Sequence, residues 1–268
     1  MIAPGYVVKN TARTVLFQSP IKSIAVCCVM IFSVFIAELI SSLASAFAGI
    51  VGYAVSMCLI SFFGLIPLGL GVVYYFMRLA VSQNDSVLII FKYFSGVAEY
   101  KRVLTLLRIL AFRFLSVGIV LFLPCIIVAV LSMEKFYSLF DTTLPIWASN
   151  LWALNSLLAF LASLVLLFVM LKYYLAAYIF VVNDDVKPLE AINKSTVISK
   201  RTGADFVGLL FTFFGWILIS VFVLPLVFTV PYFIAAYCVH CRYAITAYNS
   251  DVDRFNADIT PHYSSDEN

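Results

Sequence analysis

The chain has 268 residues and a formal net charge of +3, with 63% apolar and only 12% charged residues. A soluble domain carries about 25% charged residues, so a largely water-facing surface is excluded, and a mean hydropathy of +1.05 sends most of the exterior into lipid. No block of like charge and no basic stripe interleaved with aromatics occurs, which excludes nucleic acid as a partner.

Residues 1–22, with Lys9, Arg13 and Lys22, read as a cytoplasmic N-terminus. The apolar run over 23–48 is too long for the core of a signal peptide and suits an uncleaved first span. Glu38 interrupts it. A charge at mid-span costs about 2.5–3.5 kcal/mol, so Glu38 is expected to face protein or water. It reads as a protonated carboxyl bonded to Ser41, Ser42 or a neighbouring helix, with a proton or cation relay as the functional alternative. Ser41, Ser45 and Gly49 share one helix face and predict a close packing seam, within the monomer or in a homodimer.

An uncharged turn at 49–52 leads into a second span over 53–79. Gly64, Pro67, Gly69 and Gly71 predict a break near 65–71, since neighbouring helices can satisfy the freed backbone. Residues 82–110 mix Lys92, Lys101, Arg102 and Arg108 with large apolar side chains. That mixture predicts a segment lying at the membrane interface. Those four residues and Arg113 are expected to contact anionic headgroups, at about 1 kcal/mol each.

The third span is expected over 111–131 and an external loop over 132–149, carrying Glu134, Lys135 and Asp141. Trp147 and Trp152 mark an interface belt before a fourth span over 153–182. Asn183, Asp184 and Asp185 read as the cap between two helices, with cation chelation as the alternative. A cytoplasmic helix over 188–200 opens on Pro188, with Glu190 in its first turn. Two further spans follow over 204–224 and 231–249, the second opened by Pro231. Residues 250–268 are polar and acidic and predict a disordered tail.

Under this threading every one of the 17 Lys and Arg residues except Lys135 falls on one side. The cation bias therefore predicts an all-α polytopic fold of six transmembrane helices plus short interfacial helices, with both termini in the cytoplasm.

The segment Tyr174-Leu175-Ala176-Ala177-Tyr178-Ile179-Phe180-Val181-Val182-Asn183-Asp184 precedes Pro188-Leu189-Glu190-Ala191-Ile192-Asn193-Lys194-Ser195. Phe211-Thr212-Phe213-Phe214-Gly215-Trp216 and Val230-Pro231-Tyr232 come after them. In this order and spacing the chain resembles the bacterial integral membrane proteins grouped as domain of unknown function 975. The resemblance is specific over about residues 170–240. It implies a six-span unit in the bacterial cytoplasmic membrane and supplies no substrate. Gly215 is expected to permit close helix packing, with Trp216 filling a groove or anchoring in headgroups.

Cys238-Val239-His240-Cys241 is a weak metal candidate, because a zinc site needs four ligands and no second pair is available. The three read first as ordinary helix residues. No nucleotide-binding, metalloprotease or hydrolase motif occurs. The chain therefore reads as non-enzymatic and without cofactor, a structural or regulatory membrane component. Its expected partners are membrane lipids, with a membrane-protein partner or a second copy of itself. The alternative is a small-solute or ion transporter or channel that uses Glu38 and the broken second helix.

Overall fold

A computed structural model describes residues 4–83, 85–131, 151–219 and 223–263. At 131, 151–153, 216–219, 223–226 and 251–263 it describes the backbone alone. The predicted external loop, with Lys135 and Trp147, lies outside the described residues. Among those described, every regular element is a helix.

The first element is one the sequence reading left unstructured. Helix α1, Gly5–Gln18, buries Val8, Ala12 and Val15, which recur at the i, i+4, i+7 spacing of one helical face. Helix α2, Pro20–Ile60, begins with proline in its first turn and is interrupted at Ala48 (φ −130°, ψ 18°) and Gly49 (φ +60°, ψ −150°). The chain reverses there. Fifteen helical residues would separate Glu38 from Tyr53 by about 22 Å, yet the Tyr53 hydroxyl lies 2.9 Å from the Glu38 carboxylate. The turn expected at 49–52 is thus the tip of a helical hairpin. A Cβ on Gly52 would stand 2.6 Å from the Ala44 carbonyl oxygen.

The break expected near 65–71 is not found: those residues continue the helix, and the irregularity falls just before them. A single π-helical turn, Ser61–Leu65, precedes helix α3, Ile66–Ala80, which has Pro67 in its first turn. The widened turn leaves the Phe63 carbonyl accessible, and it accepts a hydrogen bond from the Tyr100 hydroxyl at 2.8 Å. Freed backbone is satisfied by a neighbouring element, as an apolar environment demands.

Residues 82–110 are divided between two elements. A 3-10 helix, Val87–Phe94, buries Ile90 and Tyr93 against α3, while helix α4 runs unbroken over Val97–Leu131. No boundary falls at 111, because Val103, Leu106 and Leu107 are buried and no proline or glycine interrupts the turn. At 1.5 Å per residue, the 35 residues of α4 span about 52 Å. That exceeds a hydrocarbon core of about 30 Å by roughly the length of the charged first third.

Three further boundaries differ from expectation. The fourth apolar run is helix α5, Leu151–Leu171, then a turn at 172–175, then helix α6, Ala176–Val182. The turn is closed by backbone bonds from Lys172 to Val169 and from Tyr173 to Met170. The expected cytoplasmic helix and fifth span are one helix, α7, Pro188–Ile219. An isolated Gly203 costs about 1 kcal/mol in a helix interior and does not end it. Helix α8, Val223–Tyr263, starts before Pro231 and continues past 249 into the segment predicted to be disordered. Extending a formed helix needs only one residue fixed per added bond.

The chain divides into two compact units, Met1–Thr105 with Leu175–Asn268, and Leu106–Tyr174. In the first, α3 is central, packed against the 3-10 helix, α6, α8, α1 and α2. Its core contains Tyr75, Phe76, Leu79, Ile90, Phe180 and Phe213. Helices α7 and α8 pair through Phe206 on His240 and Phe213 on Phe233. In the second unit, Tyr173 lies edge-on to Phe114 and receives the Arg113 guanidinium over its ring.

Among the described residues, three helical stretches are long and apolar enough to cross a membrane: Pro20–Ala80, Val97–Val130 and Leu154–Val182. The first carries the reversal at Gly49. Large apolar side chains such as Phe112, Leu115, Val120, Leu157, Phe160 and Phe168 stand exposed along the other two. Apolar surface of this extent marks a contact with lipid or protein.

Candidate functional site

Several charged residues of the first unit, Lys22, Arg78, Asp85 and Arg242 among them, meet at the C-terminal end of α3. Tyr74 and Arg78 lie one helical turn apart on α3, so the guanidinium reaches back to donate to the Tyr74 hydroxyl at 3.2 Å. The same guanidinium forms a two-pronged contact with Asp85 through Nε and Nη2, the geometry that makes arginine–carboxylate pairs specific. The Asp85 backbone carbonyl accepts a hydrogen bond from Lys22 at 3.3 Å, tying in the start of α2. Arg242 of α8 donates to the Ala80 carbonyl at 2.8 Å. A cation at the C-terminus of a helix satisfies a free carbonyl and favours the dipole.

Lys92 is the hub. Its Nζ donates to both carboxylate oxygens of Asp184, at 2.9 and 3.0 Å, across 92 residues of sequence. It also lies 4.0 Å from the centre of the Tyr74 ring, a cation–π contact. Burial alone would pull the Lys92 ammonium pKa down. The Asp184 carboxylate and Tyr74 outweigh it, and the net direction is up. A lysine pKa raised in this way contributes stability below its ordinary value, and that contribution is lost only as pH rises through the raised one. The contact therefore persists through neutral and mildly basic pH.

Beside it, Tyr93 packs on Tyr74 and Phe180. Burial pushes the Tyr93 phenol up, and Asp184 adds to the effect, so the hydroxyl stays protonated. Neither that hydroxyl nor the Oε2 atom of Glu99 has a hydrogen-bond partner among the described residues. Arg102 covers the Phe180 ring at 5.1 Å and donates to the Val186 carbonyl at 3.0 Å.

The expected headgroup contacts thus divide. Lys92 and Arg102 hold the segment after α6 in place, and Arg113 donates to the Tyr173 hydroxyl at 3.5 Å. Lys101 and Arg108 are exposed, and their side chains make no hydrogen bond or ion pair among the described residues. In the Asp184–Asp185 pair, which reads from sequence as a cap or a cation chelate, Asp184 faces Lys92. A sequence reading could notice that both charges fall on the same side of the threading. It could not pair them.

Glu38 is exposed, and both of its oxygens accept from the Tyr53 hydroxyl, so its partner is the neighbouring arm of its own hairpin. Ser41 is buried and faces Met57, with Oγ 3.7 Å from the sulfur, and Ser45 donates to the Ser42 carbonyl. The small-residue seam is therefore closed within the chain, by Ala44 and Ala48 against Gly52. Gly49 is not part of the seam but the residue that turns it. Gly215 is exposed and a Cβ there would meet nothing among the described residues, so the expected close packing is absent from that set. The Trp216 side chain lies outside it.

Cys238 and Cys241 are fully buried and His240 nearly so. Cys238 donates to the Val73 carbonyl at 3.8 Å, and the His240 ring lies against Phe206. No group of three or more metal-ligating side chains comes together among the described residues.

No protein-family model matches the chain, and no curated protein or solved structure matches it.

Proposed function

We propose that this chain is a six-span, non-enzymatic component of a bacterial cytoplasmic membrane, both termini inside, that acts by binding anionic lipid. The resemblance to domain of unknown function 975 belongs to the same proposal. The reading rests on one face of α4. Lys101, Thr105 and Arg108 are exposed on it, and Phe112, Leu115 and Ile119 continue it at helical spacing, each more than half exposed. A basic third followed by an unbroken apolar two thirds fits a helix standing in lipid, with its cations at headgroup depth.

A relay role for Glu38 is weaker, because both carboxylate oxygens are held by Tyr53 on the outside of the hairpin and no second acid adjoins them among the described residues. Topology is checked by reporter fusions at Lys135 and Asn268, which are expected to fall in opposite compartments; the same compartment for both refutes six spans. For lipid binding, wild-type protein in nanodiscs of equal phosphatidylglycerol and phosphatidylcholine is expected to enrich the anionic lipid around itself. At about 1 kcal/mol per cation, replacing both Lys101 and Arg108 with Gln lowers that enrichment by up to about thirtyfold. Equal retention of the two lipids by wild type would defeat the reading.

A further inference from the structure

Ionisable groups inside membrane spans face the interior of a bundle or a water-filled cavity, and pair there. Glu38 does neither. It is exposed on the outside of the α2 hairpin, about 16 Å along the helix from the tip at Gly49. In a hydrocarbon core of about 30 Å that is close to the midplane. A tyrosine hydroxyl carries one hydrogen, and Tyr53 shares it between both carboxylate oxygens. A carboxylate has about four acceptor sites, so most of its capacity is left open toward whatever covers this face.

The complement of a carboxylate is a cation. Lipid tails bring none to that depth, and neither does this chain. Under the six-span threading each lysine or arginine within or beside a span stands toward its cytoplasmic end, as Lys22, Arg78, Arg113, Lys172 and Arg242 do. Copies of a membrane protein that assemble about an axis normal to the bilayer keep every residue at its own depth. A second copy would therefore set Glu38 against apolar groups or another Glu38. The surface beside the carboxylate also admits a helix. Glu38, Ser42 and Ala46 recur at every fourth position of one helical face, all three exposed, and small side chains let two backbones approach closely. Phe35 and Leu39, 63% and 62% exposed, flank them with apolar surface.

We infer that this face of the hairpin docks a transmembrane helix of another membrane protein, one that carries a lysine or arginine at mid-membrane depth to pair with Glu38. Tyr53 holds the carboxylate on the outer face, ready for that cation. The inference rests on the six-span threading proposed above and not on the binding of anionic lipid, and it lies on a different element from Lys101 and Arg108.

The test uses the full chain, carrying a fluorescent donor, in liposomes of phosphatidylcholine alone, where anionic lipid plays no part. The probes are acceptor-labelled synthetic transmembrane helices of leucine and alanine, with lysine at the centre, leucine at the centre, or lysine near one end. Energy transfer against the peptide-to-lipid ratio gives the relative affinities. Wild type is expected to bind the central-lysine helix about tenfold more tightly than the leucine helix, and the end-lysine helix no better than the leucine one. Glu38→Gln, which keeps the shape and loses the charge, is expected to reduce that preference to about twofold or less.

Equal binding of the central-lysine and leucine helices by wild type overturns the inference. So does an undiminished preference in Glu38→Gln, or an end-lysine helix that binds as well as the central one. Energy transfer between two labelled copies of the chain that Glu38→Gln abolishes would seat a second copy on this face, and overturns it too. If the reporter fusions refute six spans while the central-lysine preference holds, the threading fails and the docking surface stands.

Discussion

Gly71→Ala is expected to destabilise the protein by about 3 kcal/mol or more, lowering its melting temperature in detergent by about 10 °C. An added Cβ would stand 1.8 Å from the carbonyl oxygen of Ile90, so the obstacle is backbone and no side-chain rotation relieves it. The 3-10 helix must lift off α3. Ile90, fully buried, leaves its seat, and Lys92, two residues on, is drawn away from Tyr74 and Asp184. The damage reaches the charged cluster through packing alone. Gly208→Ala is the matched control. That glycine is exposed within α7 and has open space around it among the described residues, so alanine there should stabilise by about 0.5–1 kcal/mol through helix propensity. Scanning-fluorimetry melts of the two variants would separate the effects. A Gly71→Ala protein that melts like wild type would mean that α3 and the 3-10 helix do not approach at this point.

Gly49→Val is expected to open the α2 hairpin. At φ +60° and ψ −150° the backbone lies in a region essentially restricted to glycine, and a side chain there costs about 1–3 kcal/mol. A β-branched residue with both flanking arms already helical favours continuing the helix through the tip. The readout is a disulfide between Ser41→Cys and Met57→Cys in a background lacking the native cysteines, since Ser41 Oγ lies 3.7 Å from the Met57 sulfur. Oxidation should cross-link the arms nearly completely with glycine at 49 and less than about half as well with valine. Equal yields would show that the turn does not depend on the conformation of Gly49.

Parts of this architecture could be read directly. Long apolar runs announce helices, and Gly49, Gly52, Gly64 and Pro67 punctuate them where the chain turns or its helix widens. Other parts were legible but passed over: Val8, Ala12 and Val15 carry the spacing of a buried face within a segment whose charges suggested a free terminus. At 111, at 200–204 and at 249 the helices run on past the expected span limits, and for one reason. Polarity changes at those positions, and a change in polarity marks where a helix leaves one solvent for another, not where it stops. Lys92 shows the opposite limit. Its neighbours in sequence suggest a headgroup contact, while its neighbours in space are Tyr74 and Asp184.

Solvent preference is additive along a chain: each apolar side chain contributes its own transfer free energy wherever it ends up. For this reason the helical, lipid-seeking character follows from residue order alone. Pairing is not additive, because a contact between residues 92 and 184, or between residues 38 and 53, exists only once the helices are stacked. Which cations pair with another part of the chain and which stay exposed was decided by that stacking, and by the few glycines that let one backbone touch another.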